Sequence, residues 1–211
     1  MRNLVTLTAA MAVVLAAFYL LVPGPRPEAV PDLPWQIDTL PDGTARVLGL
    51  QVGADPLRTA VERYGDPDGL SLFVSVDGQG AVEAYFGTIR LGLLKGELIA
   101  TLDAPADELA ALRDRAIDRK VTRGGASRYL LGEQDQRAQL GRIIRGLTYI
   151  PAYSGMDAEF IRQRFGDPAQ TRQLDDTTQR WLYPEEGLSI LIDSEGREVF
   201  EYVAPRDFHA P

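Results

Sequence analysis

The spacing of hydrophobic positions changes period several times along this chain, and each change predicts an element. Leu57, Ala60, Val61 and Tyr64 follow i, i+3, i+4, i+7 spacing and put one apolar stripe on a helix. Asp55 suits its N-cap and Pro56 its first turn. Gly65 suits a left-handed C-cap, and Pro67 blocks resumption. Apolar runs over 70–76 and 81–88 follow, and Asp77-Gly78-Gln79-Gly80 between them predicts a hairpin. A further strand is expected over Leu91 to Leu102. Leu109, Leu112, Ala116 and Ile117 predict a second helix over Asp103 to Lys120, with Pro105 in its first turn and Gly124-Gly125 as its stop. Ser127 to Leu131 and Arg142 to Ile150 read as strands. Glu133 to Leu140 fits either a short helix or an extended loop, and its polarity does not decide. Met156, Phe160, Ile161 and Phe165 form another helical stripe, with capping groups at 154–157 and a stop at Gly166 and Pro168. Strands over Thr178 to Tyr183, 188–193 and 197–203 follow. Ahead of all these, Trp35 to Leu50 reads as a hairpin around Pro41-Asp42-Gly43.

The pattern says something twice. Both helices end in an aromatic residue followed by Gly-Asp-Pro, at 65–67 and again 101 residues later at 166–168. Gly-Leu-Ser then opens an apolar strand at 69–71 and at 187–189. Each strand runs into an Asp-x-x-Gly turn, Asp77 to Gly80 and Asp193 to Gly196. A second strand with Glu and Tyr follows, around Glu83-Tyr85 and Glu201-Tyr202. Repetition sets architecture before anything else does. A helix with one apolar stripe over a sheet with one apolar face is a stable two-layer solution. The fold class expected is α+β, tandem helix-plus-antiparallel-sheet repeats after an N-terminal transmembrane helix. The first repeat, with an extra helix, occupies 35–125 and the second 126–205, with a tail at 206–211.

The ends change the picture more than the bulk composition does. Leu4 to Val22 is a 19-residue stretch without a charge. As a helix it spans roughly 28 Å, about one hydrocarbon core. Residues 1–22 therefore read as a single-pass anchor, with a cleaved signal peptide as the alternative. Arg2 favours a cytoplasmic N-terminus, which places the globular part in the periplasm. Residues 23–34 hold Pro23, Pro25, Pro27, Pro31 and Pro34 and read as a stiff polyproline spacer. Net charge is −8, which argues against nucleic acid, whose binders need a basic stripe. With no cysteine, disulfides, thiolate zinc sites, cysteine nucleophiles and a lipid-bearing Cys are excluded.

A helix ending in Tyr/Phe-Gly-Asp-Pro, the aromatic strand Trp181-Leu182-Tyr183, the apolar strand Leu188 to Asp193 and the final strand Val199 to Val203 come in an order that resembles the small SmpA/OmlA (BamE) proteins of the bacterial outer-membrane assembly machinery. The order also resembles the β-lactamase-inhibitor-protein-like fold, in which tandem helix-plus-sheet repeats build a protein-binding surface. The match covers about 154–203 well and 50–88 weakly, since the first copy lacks the Trp-containing strand. The assembly proteins are lipoproteins, and this chain has no Cys to lipidate. The resemblance carries over no partner-contact residue. Trp181 and Tyr183 are candidate contact aromatics, though alternate residues on a strand under a helix more often belong to the core.

Candidate chemistry is sparse. His209 is the one histidine, near the C-terminus, where a triad or metal site lacks a rigid support. Gly69-Leu70-Ser71 lacks the second glycine of a nucleophile elbow. The Asp77 and Asp193 turns hold too few spaced oxygens for a calcium loop. Asp175-Asp176 and Glu185-Glu186 are adjacent carboxylates, whereas glycoside chemistry needs two facing across a cleft. No catalytic, cofactor-binding or metal residue is assigned, no cofactor is expected, and partner-binding residues stay unassigned. The function expected is a non-catalytic, membrane-anchored envelope protein acting as an interaction or assembly module, its partner another envelope protein. The alternative is a carboxylate-dependent hydrolase or small-ligand binder of the periplasm.

Overall fold

Helix α1, Leu57–Tyr64, buries Leu57 and Ala60 completely, as its apolar stripe requires. Its N-terminus is not capped by Asp55. That carboxylate instead accepts the Gln51 N–H at 2.7 Å, and Pro56 stands at the N-cap. The free N–H groups of Leu57 and Arg58 donate to the carbonyls of Arg142 at 2.8 Å and Leu140 at 3.0 Å. A neighbouring loop thus does what a cap would have done. Gly65 closes the helix at φ 87, ψ −178, a region essentially reserved for glycine rather than the left-handed helical one. The computed structural model that gives these details describes residues 30–122, 124–153, 155–194 and 198–209.

The helix follows a three-stranded meander of β1 (Asp38–Thr39), β2 (Ala45–Val47) and β3 (Leu50–Val52). Its first turn is the expected one around Gly43. The second, Leu48-Gly49, puts both residues at positive φ, as a tight hairpin requires. Next come β4 (Gly69–Val74), β5 (Gly80–Leu91), β6 (Leu94–Leu102), α2 (Ala106–Asp114), β7 (Asp118–Val121), β8 (Ser127–Leu130), α3 (Glu133–Gln139) and β9 (Ile144–Pro151). The chain continues with α4 (Ala158–Phe165), β10 (Gln170–Gln173), β11 (Thr178–Tyr183), β12 (Leu188–Asp193) and β13 (Val199–Val203). Asp157 caps α4, accepting the Phe160 N–H at 2.9 Å, and Gly166 ends it at φ 77, ψ −168.

Further expectations need correction. The second helix stops at Asp114 rather than Lys120, and 118–121 is a strand paired residue for residue with 127–130. Gly124 and Gly125 therefore lie between two strands, not at a helix stop. Strand β10 was not anticipated, because Gln-Thr-Arg-Gln has no apolar alternation.

Among the described residues, ten strands form one antiparallel sheet in the order β10-β11-β12-β13-β9-β6-β5-β4-β8-β7. The fold is thus α+β, with four α-helices among the described residues and one large antiparallel sheet. Period-2 alternation gives the sheet two different faces. Leu72, Val82, Leu98, Leu147, Ile190 and Phe200 point inward, each at most 1% exposed, and share one core with α1, α2 and α4. Phe165 of α4 packs against Tyr183 and Phe200 at centroid distances of 5.7 and 6.2 Å. Residues from Pro31 onward make a single unit. No helix among the described residues is long and apolar enough to cross a membrane, and the anchor expected at 4–22 lies outside them.

Candidate functional site

The outer face of the sheet carries the polar half of each alternation. At its centre, Ala100 of β6 lies opposite Leu147 of β9, both side chains inward. Neighbouring outward positions are Thr101 and Thr148. Glu83 pairs with Thr101 on one side and with Ser71 beyond. Glu201 pairs with Thr148 on the other side and with Ser189 beyond. Each serine then meets an arginine from the next strand out. Arg128 Nε donates to Ser71 Oγ at 3.0 Å, and Arg180 Nη1 donates to Ser189 Oγ at 2.9 Å. Arg128 stands opposite Phe73 and Arg180 opposite Leu191, each two residues beyond its serine. A polar row therefore crosses eight of the ten strands.

The two ends of this row differ electrically. Arg180 also donates to Glu201 Oε2 at 2.6 Å, forming a half-buried ion pair. The Arg128 guanidinium lies 5.9 Å from the Phe73 ring centroid and close to Gly69, where a Cβ would be 3.0 Å from its Nη2. Glu83 has no ion pair among the described residues, and burial pushes its carboxyl above the usual glutamate range.

A groove of about 1010 Å³ runs over the Thr101, Thr148, Ser189 and Glu201 part of this row. Its wall is the C-terminal segment, the stretch read from sequence as a tail. Arg206 holds that wall in place, donating to the carbonyls of Asp42 at 3.1 Å and Gly53 at 3.0 Å, while its own N–H reaches Gly43 O at 3.0 Å. Gly43 is needed there, since a Cβ would sit 2.8 Å from Arg206 Cβ. His209 lines the groove, but its Nδ1 contacts Asp207 O at 2.7 Å. Ser189 is engaged by Arg180 rather than by the imidazole, so Ser189 and His209 are not paired as nucleophile and base.

The other candidates resolve into structure. Trp181 and Tyr183 are 2% and 3% exposed and lie under α4, so they are core. The Tyr183 hydroxyl donates to Gly166 O at 3.1 Å, and Arg162 lies 4.6 Å over the Trp181 ring. Asp175 accepts the N–H groups of Thr177 and Thr178 at 2.9 and 2.8 Å, bonds that hold its carboxyl below the usual range and make it a turn residue. Asp77 does the same in its hairpin, accepting from Ser75 Oγ. Glu185 and Glu186 sit in a single 3-10 turn. Among the described residues, no group of three or more His, Asp or Glu side chains is gathered to hold a metal ion.

Sequence reasoning missed Glu83, Arg128, Arg180, Thr101 and Thr148 as a set. The available signal was the serine that ends both Gly-Leu-Ser motifs. Comparison with protein-family models, with curated proteins and with solved structures gives no match.

Proposed function

We propose that this chain is a non-catalytic protein-interaction module of the bacterial envelope, docking a partner protein across the outer face of its ten-stranded sheet. The carrying observation is the groove of about 1010 Å³ on that face, open and lined by paired hydroxyl, carboxylate and guanidinium groups without a catalytic constellation. A face of this kind offers hydrogen-bonding groups already fixed by their neighbours, which lowers the ordering cost of binding.

The module is an internal duplication in this reading. Support comes from the strand registers. Ser71 faces Glu83 across β4-β5 as Ser189 faces Glu201 across β12-β13, in the same chain order, whereas Thr101 and Thr148, and Arg128 and Arg180, match in place on the sheet but not in chain order. Both helix stops share the glycine-only backbone conformation at Gly65 and Gly166. Kinship with the SmpA/OmlA (BamE) and β-lactamase-inhibitor-protein-like repeats belongs to the same proposal. So does an anchor at 4–22 holding the module at the periplasmic face of the inner membrane. Protease protection of the C-terminal region inside the cytoplasm would overturn that placement.

In-cell photo-crosslinking from Thr148, followed by mass spectrometry, tests the docking. One stoichiometric envelope protein is the expected catch. Recovery of the protein alone would overturn the reading and move the weight to a small ligand in the groove.

A further inference from the structure

Two carboxylates hold matching places in the polar row, and among the described residues only one of them meets a counter-charge. Glu201 is met by Arg180 at 2.6 Å. Glu83, with the same neighbours in register (a serine on one side, a threonine on the other), is met by no cation among the described residues. The arginine that could serve it, Arg128, spends its Nε on Ser71 and turns its guanidinium toward Gly69 and the Phe73 ring. Next to Glu83 on the same face stand Tyr85, 37% exposed, and Ile99, its partner across the strand pair. An aromatic and an aliphatic side chain beside a desolvated charge is the composition of an interface anchor.

We infer that Glu83 is the contact point for a lysine or arginine side chain of a different protein, which packs its aliphatic stem on Tyr85 and Ile99. The inference rests on the docking reading above and specifies its chemistry. Charge complementarity carries it: beside the groove, Glu201 is already neutralised by Arg180, whereas Glu83, on the neighbouring stretch of the same face, is met by no cation among the described residues and is left for a partner's cation. Long cationic side chains suit the place, since their methylenes cover apolar surface while the head group reaches the carboxylate. A half-buried charge is also where a partner's cation gains most, because solvent screens it less.

The test uses the full-length chain in cells, with a photo-crosslinking residue at Ile99 and three backgrounds: wild type, Glu83→Gln and Glu133→Gln, the last an exposed carboxylate on α3 away from the polar row. The expected result is a single crosslinked protein whose yield falls roughly tenfold or more in Glu83→Gln and changes little in Glu133→Gln. The crosslinked peptide then contains a Lys or Arg. Its exchange for Glu abolishes the crosslink to wild type and restores it to Glu83→Lys. Equal yield from wild type and Glu83→Gln would overturn the inference while leaving the docking reading intact. Capture of a second copy of this chain, or only of its own residues, would overturn it too. No crosslink from Ile99 or from Thr148 would sink both. Circular dichroism of the Glu83→Gln protein guards against loss of fold as the cause.

Discussion

Burial raises the Glu83 carboxyl above its ordinary value of 4.5, and the groups facing it across the sheet, Ser71 and Thr101, are neutral. The folded state therefore binds a proton more readily than the unfolded chain. Stability falls as pH rises through the window between the unfolded and folded values, and stays lower above it. Glu83→Gln removes that cost. Urea midpoints should show the variant more stable than wild type at neutral pH, the difference closing below about pH 4. A less stable variant at neutral pH would refute the burial account. Backbone strain is just as local at Gly65 and Gly166. A Cβ at either would touch nothing within 4 Å, so any cost of alanine comes from the positive φ alone. Each Gly→Ala change should cost roughly 1–3 kcal/mol in chemical denaturation. Gly124→Ala, with equally open space and no positive φ, should be close to neutral.

Strand β13 ties the start of the folded body to its centre. The buried Tyr202 hydroxyl donates to Pro34 O at 2.9 Å, and Trp35 packs edge-on against Phe160 of α4 at 5.3 Å. On β9, Tyr149 is equally buried, but its hydroxyl has no partner among the described residues, and burial pushes it up to about 12. Tyr202→Phe should therefore cost about 1–3 kcal/mol by orphaning a buried carbonyl, whereas Tyr149→Phe should be neutral or stabilising. Paired denaturation curves decide it, and equal losses would refute the assignment. Elements with a strong local period were legible in the chain: the two Gly-Asp-Pro helices, the Asp77 hairpin and the aromatic strand over 178–183. Strand β7 was not, because Ala116 and Ile117 continue the helical spacing while only pairing with 127–130 supplies the strand. Ile117 ends up 67% exposed. The candidate site was hidden for the same reason. Ser71 and Arg128 are 57 residues apart and meet through register, which no short window contains.

Across the whole body, the decisive contact is the pairing of β6 with β9, since it joins the two halves into one sheet. Leu147 lies at that seam with 1% exposure, opposite the fully buried Ala100. Two halves folded independently would unfold in two steps, and a cavity in one would leave the other untouched. A shared sheet and core couple them instead, because opening either half strips β6 or β9 of a partner and exposes a sheet edge. Calorimetry on the folded region should therefore give one transition, with calorimetric and van't Hoff enthalpies equal. Leu147→Ala should lower that single transition by the equivalent of about 2–5 kcal/mol without splitting it. Removing 35–102 should unfold the remainder, because β9 would keep its apolar face and lose β6. The expected product is insoluble or molten chain rather than a working second half. Two resolved transitions, or a soluble and folded remnant after that deletion, would mean that the seam is an accident of packing and that the halves are separate domains.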